Sequence, residues 1–467
     1  MKFVNREEEL QKLEEYHALS RKRLFMLAIS GLRRVGKTTL VKEFIKGKDA
    51  IYFFVYEAKT SEELLAEFSE ELRARGIISD MEKLDTWNLF FRVIFERCRN
   101  RTIIFDEFQN FWGVDKSVFS IMQRYCDEHR SSPILIIILG SLISLFKKIF
   151  EDKKHPLYGR VAGKIGLKPL SFNSCTKLLK TMHYKNKEEI LKIYGIFGGF
   201  PKYYASIEQF GLENMKLFEI IEYLFIQENA PLEAEVPDLL KQEFGRRSAL
   251  YYSILHAIAS GKNRLSEIAA RLKMKESSIT RHLAELESRF QLIASVVPLG
   301  NKKSTRYSIA HPLVKFWFRF VYGKFSKYSI KDVKGMMENI NNSFNSFFGK
   351  EFEKLSMEFI LRSRLPFKID YINNWWGSAR LNGERKEIEI DIIALNHKSK
   401  EMMFVECKWK HNVDANKVLK ELREKSRFVK WNREKEYFCI IAKSFGKKAI
   451  AKNVLLFDLD DFFKKPL

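Results

Sequence analysis

The chain has 467 residues, of which 46% are hydrophobic and 30% charged. This globular composition excludes a disordered chain, a collagen-like repeat and a coiled-coil rod, and the length predicts about three domains. The 82 lysines and arginines exceed the 59 aspartates and glutamates, so the net charge is +23. This surplus favours an anionic partner such as nucleic acid.

The positive charge is concentrated in the middle of the chain. Residues 241–330 hold 17 basic and 5 acidic side chains, a net charge of +12, whereas residues 1–240 hold 37 basic and 34 acidic side chains. We therefore expect a nucleic-acid contact in residues 241–330.

The compartment is predicted from cysteine usage and from apolar runs. The odd number of cysteines and the absence of metal-site spacing favour a reduced, cytoplasmic location. The charged N-terminus does not resemble a signal peptide. The longest apolar run, Ile134–Leu139, is too short to cross a bilayer, so we expect no membrane partner. The five cysteines are Cys98, Cys126, Cys175, Cys407 and Cys439.

Residues 21–170 alternate short apolar runs with amphipathic stretches. Runs that are apolar on both faces are typical of buried parallel strands, and the stretches Ser61–Arg75 and Ser117–His129 have helical periodicity. The alternation predicts a parallel sheet flanked by helices. The predicted strands are Leu24–Ser30, Ile51–Tyr56, Thr102–Phe105, Ile134–Leu139 and Val161–Leu167.

A phosphate-binding loop follows the first strand and precedes a helical pattern. In such a loop, glycines allow a tight turn that points backbone N–H groups at phosphate oxygens, and the helix N-terminus adds its positive dipole end. Lys37 is expected to reach the β- and γ-phosphates, and the Thr38 hydroxyl to ligate Mg²⁺. A chance glycine turn with a surface lysine is the alternative. The loop residues are Gly31, Leu32, Arg33, Arg34, Val35, Gly36, Lys37, Thr38 and Thr39.

Two acids end the strand Thr102–Phe105. Asp106 is expected to hold Mg²⁺, and Glu107 to orient and deprotonate the attacking water. The alternative is a strand-to-loop turn with exposed acids. Ser141, after the strand Ile134–Leu139, is interpreted either as a γ-phosphate sensor or as a helix N-cap.

These motifs resemble the archaeal ATPase family, a branch of the STAND-type AAA+ ATPases. The segment Phe3–Leu10 is similar to the box that precedes the phosphate loop in that family, and Pro156–Arg160 and Gly198–Tyr203 are similar to two later family motifs. The resemblance implies that Pro201 lies near the adenine in a helical lid. It also implies that Arg160 reaches a phosphate of its own subunit or of a neighbouring one. The alternatives are a solvated arginine and a plain helix-breaking turn.

Residues 171–240 have an all-helical pattern, and residues 241–330 carry a helix-turn-helix pattern. The third helix, Glu276–Arg289, begins with polar and basic side chains that suit a major groove. The strands Ile293–Pro298 and Tyr307–Ile309 would form a wing with a basic tip. We interpret the segment as a winged helix that binds DNA phosphates; a structural spacer or protein-binding module is the alternative. The cations expected at DNA are Arg271, Lys273, Lys275, Arg281, Lys302, Lys303 and Arg306.

Residues 331–344 are polar and are interpreted as a linker, after which residues 345–467 return to mixed α and β. Two predicted strands, Ile388–Leu395 and Met402–Trp409, form a hairpin that brings Asp391 near Glu406. Period-two alternation places Glu406 and Lys408 on one face.

This hairpin resembles the core of PD-(D/E)xK nucleases, with Ile390 in the place of the family's proline. The resemblance implies that Asp391 and Glu406 bind Mg²⁺ or Mn²⁺, while Lys408 orients the water and stabilises charge. Glu353, on the preceding helix, would add a carboxylate. A partly buried ion pair is the alternative. Trp375 and Trp376 are interpreted as core rather than as a base-stacking surface.

The predicted fold is a multidomain α/β protein. It comprises a P-loop AAA+ domain (1–170), a helical lid (171–240), a winged helix (241–330), a linker (331–344) and a restriction-endonuclease-like domain (345–467). The expected function is ATP hydrolysis coupled to a metal-dependent DNA nuclease. The alternative is an ATP-gated DNA-binding regulator or protein-interaction switch with an inactive nuclease-like domain. The expected partners are ATP and double-stranded DNA. The sequence leaves open whether the chain forms a homo-oligomer.

Overall fold

The computed structural model describes residues 3–141, 143–244, 248–300, 304–381, 384–449 and 451–464. The chain divides into two compact units. The first comprises Met1–Ser174, Gly199–Ser206 and Ser288–Phe290, and the second comprises Cys175–Gly198, Ile207–Glu287 and Gln291–Leu467.

The first unit is built on a five-stranded sheet of order β2-β3-β4-β1-β5, in which every neighbouring pair is parallel. The predicted parallel sheet is therefore confirmed. Because the carboxyl ends of parallel strands share one edge, the segments that follow β1, β3 and β4 meet there. The strands are β1 (Phe25–Ser30), β2 (Ala50–Phe54), β3 (Thr102–Asp106), β4 (Leu135–Gly140) and β5 (Gly163–Gly166).

Amphipathic helices cover this sheet. In α3, Thr60 and Glu63 form a capping box at the N-terminus, which satisfies backbone N–H groups that have no partner within the helix. Buried side chains of α3 through α7 join apolar strand residues such as Phe53, Phe105 and Ile138 in one hydrophobic core. The helices are α1 (Glu7–Ser20), α2 (Lys37–Phe44), α3 (Ser61–Ala74), α4 (Trp87–Arg97), α5 (Phe111–Val114), α6 (Ser117–Glu128) and α7 (Ile143–Glu151).

The segment 171–240 is helical, as predicted, and the boundaries between the two units fall inside α8 and α10. Asn186 caps α9 by accepting hydrogen bonds from the backbone N–H groups of Glu188 and Glu189. The helices are α8 (Phe172–Thr181), α9 (Lys187–Phe197), α10 (Pro201–Gln209), α11 (Leu217–Ile221) and α12 (Glu235–Phe244).

The basic segment contains the three helices and two antiparallel strands that the sequence predicts. The third helix continues as a π-helical turn, Glu285–Arg289. The winged-helix interpretation of these elements stays a prediction. The elements are α13 (Ser248–Ala259), α14 (Leu265–Leu272), α15 (Glu276–Ala284), β6 (Ile293–Val296) and β7 (Arg306–Ile309), followed by α16 (Pro312–Phe320) and α17 (Phe325–Ser329).

The expected linker at 331–344 is wrong, because these residues begin the 30-residue helix α18 (Val333–Arg362). Met336, Met337, Ile340 and Phe344 are buried on one face, while the asparagines that suggested a linker lie among more exposed positions. The spacing of the buried residues is that of one helical face. The polar face masked this amphipathic pattern in the sequence.

The C-terminal part is a mixed sheet of order β14-β12-β10-β9-β8, as predicted. Strands β8, β9 and β10 are antiparallel, whereas β10, β12 and β14 run parallel. Trp375 and Trp376 are both buried. The elements are β8 (Tyr371–Leu381), β9 (Glu384–Asn396), β10 (Glu401–Lys408), β11 (Val413–Asp414), α19 (Ala415–Ser426), β12 (Lys435–Ala442), β13 (Phe445–Lys447) and β14 (Val454–Phe457).

Within the described ranges, none of the helices combines the length and the apolarity that a membrane crossing requires.

Candidate functional site

The loop between β1 and α2 needs glycine at two positions. A Cβ on Gly31 would lie 2.5 Å from the Leu167 carbonyl oxygen, so a larger residue would displace backbone. Gly36 has a φ of +92° and precedes the first turn of α2, a conformation that glycine adopts without steric cost. These constraints hold the loop in a tight turn at the carboxyl end of β1.

The Lys37 side chain lies against this loop and is almost fully buried. Its Nζ atom donates to the Gly31 carbonyl oxygen at 2.9 Å and to the Leu32 carbonyl oxygen at 3.1 Å. The ammonium group is thus held where backbone N–H groups of the loop and the N-terminus of α2 converge, an arrangement suited to phosphate oxygens.

Thr38 and Asp106 are in direct contact at the sheet edge. The Thr38 hydroxyl donates to Asp106 Oδ2 at 2.8 Å, and the Tyr52 hydroxyl donates to the same oxygen. Burial, and then the Asp106 charge, raise the pKa of Tyr52, so this phenol stays protonated as a donor. A hydroxyl beside a carboxylate is an oxygen pair that fits Mg²⁺, which also takes waters and substrate phosphates as ligands.

Glu107 is held by three polar neighbours. Ser141 Oγ donates to the two carboxylate oxygens at 2.9 and 2.7 Å, Gln109 Nε2 donates to the same group, and Arg33 Nη1 lies 3.7 Å from Oε1. Ser141 therefore orients Glu107, a role that neither interpretation of Ser141 from the sequence included.

A cavity of about 300 Å³ lies over the loop. Pro201 joins its wall, and its place near the adenine stays a prediction. Leu32 and Val35 belong to the loop but do not line the cavity, and Val35 is fully buried. The lining residues are Arg33, Arg34, Gly36, Lys37, Thr38, Thr39, Glu107, Pro201, Lys202 and Ala205.

Arg160 is not brought to this cavity. Its guanidinium donates to Asp127 Oδ2 at 2.8 Å and to the Tyr158 carbonyl oxygen at 2.9 Å. Arg160 is thus paired with Asp127, and its action on a phosphate of its own subunit or of a neighbouring one stays a prediction.

Arg6 is a supporting residue that the sequence reasoning did not single out. Its buried guanidinium donates to the Val35 carbonyl oxygen at 3.2 Å and to the Lys168 carbonyl oxygen at 2.8 Å, and it pairs with Glu9 at 3.0 Å. The side chain thus ties the phosphate loop to the segment after β5. The sequence feature that could have indicated this role is an arginine directly before a helix, in the segment Phe3–Leu10.

A second polar cluster lies on the C-terminal sheet, where β9 and β10 pair. The Cys407 backbone N–H donates to Asp391 Oδ2 at 2.8 Å. Lys408 Nζ donates to Glu406 Oε1 at 2.7 Å, so these two side chains share a face, as predicted. Lys425, which the sequence reasoning missed, donates from the last turn of α19 to both oxygens of Glu406 at 3.0 Å.

Burial and repulsion between neighbouring carboxylates disfavour the charged form of two acids in this cluster. Burial, and then the Glu406 charge, raise the pKa of Asp391 to about 6. Burial, and then the Asp391 charge, raise the pKa of Glu353 to about 8, although Lys350 lies 3.0 Å away. A cation would relieve this repulsion.

Among the described residues, no group of three or more His, Cys, Asp or Glu side chains is arranged to hold a metal ion. Asp391 and Glu406 offer two carboxylates. This number is compatible with Mg²⁺, which is usually bound by one or two carboxylates together with substrate phosphates and water.

Two domain families match the chain. One is described as an ATPase domain predominantly from Archaea and matches residues 3–207. The other is described as Archaea bacterial proteins of unknown function and matches residues 317–419, a range that includes Asp391, Glu406 and Lys408.

Similar full-length proteins cover the chain to different extents. An uncharacterized protein of Methanocaldococcus jannaschii is 32% identical over 98% of this chain and all of its own length. The Walker-type ATPase of Pyrococcus abyssi is 26% identical, with a TM-score of 0.53 over 68% of this chain and 96% of its own. The ORC2 protein of Aeropyrum pernix is 15% identical, with a TM-score of 0.48 over 73% of this chain and 96% of its own.

Proposed function

This chain belongs to the archaeal ATPase family that its N-terminal domain and its Methanocaldococcus relative define, and we propose that it couples ATP hydrolysis to a metal-dependent DNA nuclease in the C-terminal sheet. The contact between Thr38 and Asp106, beside Lys37 and Glu107, is the observation that carries the ATPase half. It joins the phosphate loop to the acidic end of β3 at the edge of the sheet.

In the proposed ATPase reaction, each side chain has a distinct task. The loop N–H groups and Lys37 bind the β- and γ-phosphates, and the oxygens of Thr38 and Asp106 hold Mg²⁺. Neutralisation of charge on the phosphates is the chemistry that Mg²⁺ would supply when held by Thr38 and Asp106. Glu107 orients the attacking water and accepts its proton, while Ser141 and Gln109 fix the direction of the carboxylate.

The order of elements around the second cluster supports the nuclease half. Helix α18, three antiparallel strands, helix α19 and the parallel strand β12 follow one another, and the acids and the lysine meet at the centre of this arrangement. Asp391 and Glu406 would hold Mg²⁺ or Mn²⁺, which acidifies water when bound. Lys408 would orient that water and stabilise charge on the phosphate.

DNA binding by the basic segment is supported by the exposed face of α15. Ser277, Ser278, Thr280 and Arg281 are exposed there, as expected for side chains that enter a groove. Arg306 does not fit the expected phosphate contact, because its guanidinium is already paired with Glu387 at 2.6 Å. Lys302 and Lys303 lie outside the described residues.

The test is cleavage of supercoiled, linear duplex and single-stranded DNA by the full-length protein with Mg²⁺ or Mn²⁺, with and without ATP. We expect cleavage by the wild type, none by Asp391→Ala, and an altered ATP response in Lys37→Ala. The variant Glu384→Ala, on the same strand but outside the cluster, is the matched control and should cleave normally.

The second candidate function is an ATP-gated DNA-binding regulator. It is favoured by the contacts of Glu406, because Lys408 and Lys425 both pair with this carboxylate and compete with a metal ion for it. DNA binding without cleavage under every metal and nucleotide condition would select the regulator over the nuclease.

A further inference from the structure

A cavity of about 720 Å³ opens beside the carboxylate cluster and is lined by both Asp391 and Glu353. Helix α18 and strands β8 and β9 form one side of it. The described residues at the end of α13, on strand β7 and on α16 form the other side. Of the three residues proposed for phosphodiester cleavage, Asp391 lines this cavity, whereas Glu406 and Lys408 do not.

The side of the cavity that contains β7 is attached to the C-terminal sheet by a set of contacts that we call the clasp. In the clasp, Arg264, Ser304 and Arg306 contact Trp376, Glu387 and Glu389. Arg306 Nη2 lies 2.6 Å from Glu387 Oε1 and 2.7 Å from Glu389 Oε1. The Arg306 guanidinium also stacks 4.3 Å from the centre of the Trp376 ring.

Two more contacts complete the clasp. Trp376 Nε1 donates to the Ser304 carbonyl oxygen at 2.9 Å, and Arg264 donates to Glu387. Burial opposes ionisation of Glu387, yet the hydrogen bond from Arg264 and the charge of Arg306 hold its pKa below the usual value. The Glu387 carboxylate of the clasp thus stays ionised at neutral pH.

The size of the cavity limits what can reach Asp391. Its volume equals that of a cube about 9 Å on a side, whereas the major groove of B-DNA alone is about 12 Å wide. Cavities of this volume hold molecules the size of one or two nucleotides. An intact duplex is too wide to enter while the clasp is closed.

The lining matches a single strand in chemistry as well. The rings of Tyr307 and Phe347 are partly exposed, and Arg319 and Lys350 present exposed cations. Aromatic rings that stack on bases, combined with cations that follow the backbone, are the usual features of single-strand binding.

We propose that this cavity admits the single-stranded end of a DNA strand and that the clasp excludes the intact duplex. This inference rests on the proposed nuclease function and specifies its substrate. In the reaction, the oxygen of water bonds to phosphorus and the P–O bond to the departing deoxyribose oxygen breaks. That oxygen takes up one proton of the water, so no oxidant or reductant is required.

The first test compares substrates with the full-length protein, Mg²⁺ and ATP. We expect single-stranded oligonucleotides and flapped duplexes to be cut at least about tenfold faster than blunt duplexes or closed plasmid, a difference of about 1.4 kcal/mol in activation free energy. The double variant Glu387→Gln, Glu389→Gln opens the clasp and should reduce this ratio. Glu384→Gln, an exposed acid on the same strand, is the control and should preserve the ratio. Equal cleavage of plasmid and single strands by the wild type would overturn the inference and leave the nuclease standing.

The second test requires no cleavage. With EDTA present, a deoxytrinucleotide should protect Lys350 from acetylation, whereas a 12-base-pair hairpin duplex should not. Lys334, an exposed lysine at the start of α18, should be acetylated equally in both samples. Protection of Lys350 without cleavage under any condition would reject the nuclease but retain the single-strand site. Equal protection by both probes, or by neither, would reject the inference itself.

Discussion

The position of Glu107 at the sheet edge predicts that nucleotide binding and hydrolysis depend on different side chains. It begins the segment after β3 with a left-handed φ of +53°, and Ser141 fixes its carboxylate from the end of β4. The phosphate contacts that we propose belong to the loop before α2. We therefore expect Glu107 to act on water and to contribute little to ATP affinity.

The variant Glu107→Gln should bind ATP like the wild type and hydrolyse it about 10²- to 10⁴-fold more slowly, the usual range for loss of a general base. Affinity is measured with a fluorescent ATP analogue, and hydrolysis by phosphate release. Ser141→Ala, which leaves the carboxylate in place, should cause a smaller loss. A Glu107→Gln protein with wild-type turnover would contradict the role of this residue.

The raised pKa of Glu353, about 8 in the folded chain against 4.5 for the free side chain, predicts how stability changes with pH. Between these two values the folded state binds more protons than the unfolded state, so stability falls as pH rises through this window. The substitution Glu353→Gln removes this pH-dependent loss of stability. The variant should melt a few degrees higher than the wild type at pH 8 and nearly together with it at pH 4. A melting temperature at pH 8 that is lower than that of the wild type would contradict this.

The site residues differ in how far the sequence could predict them. The loop Gly31–Thr39 and the pair Asp106 and Glu107 could be predicted, because a local motif carries their chemistry. Arg6 and Lys425 could not, since their partners are distant in the chain and only packing brings them together.

At the scale of elements, the parallel strands could be predicted because runs such as Leu135–Gly140 are apolar on both faces. Helix α18 was missed in its first half because only one stripe is buried and the rest is rich in asparagine. The mixed C-terminal sheet was predicted through its hairpin, whose register pairs Ile392 with Val405. Pairings such as β12 with β14 carry no comparable signal, because parallel strands are joined by long connections.

The packing of α9 on α18 supplies a test at this scale. A Cβ on Gly195 would lie 2.5 Å from the fully buried Phe348 ring. Gly195→Ala should therefore destabilise the protein by about 1–3 kcal/mol, the usual cost of overpacking a core. Gly349→Ala is the matched control, since no atom lies within 4 Å of the added methyl group, and it should stabilise α18 by up to about 1 kcal/mol. Chemical denaturation measures both, and equal stability of the two variants would contradict the packing.

At the scale of the whole molecule, the charge pattern predicts different partners for the ATPase part and for the middle of the chain. The ATPase part, residues 1–240, is close to neutral, whereas residues 241–330 carry a net charge of +12. Arg271, Lys275 and Arg281 are exposed there, although Arg281 also pairs with Glu285 at 3.2 Å within its own helix. A polyanion is thus expected to bind through this segment and not through the ATPase surface.

Cations that contact phosphates release counterions, so the logarithm of DNA affinity should fall linearly with the logarithm of salt concentration, with a slope of about −0.9 for each phosphate neutralised. The triple variant Arg271→Ala, Lys275→Ala, Arg281→Ala should make the slope shallower by about one unit for each phosphate that is no longer neutralised. The control Lys153→Ala, Lys154→Ala removes two exposed lysines from the ATPase part and should leave the slope unchanged. Fluorescence anisotropy of a labelled duplex measures it between about 50 and 300 mM salt, a range wide enough to define such slopes. If the triple variant keeps the wild-type slope, α14 and α15 do not contact DNA, and the basic segment serves as a spacer or protein-binding module instead.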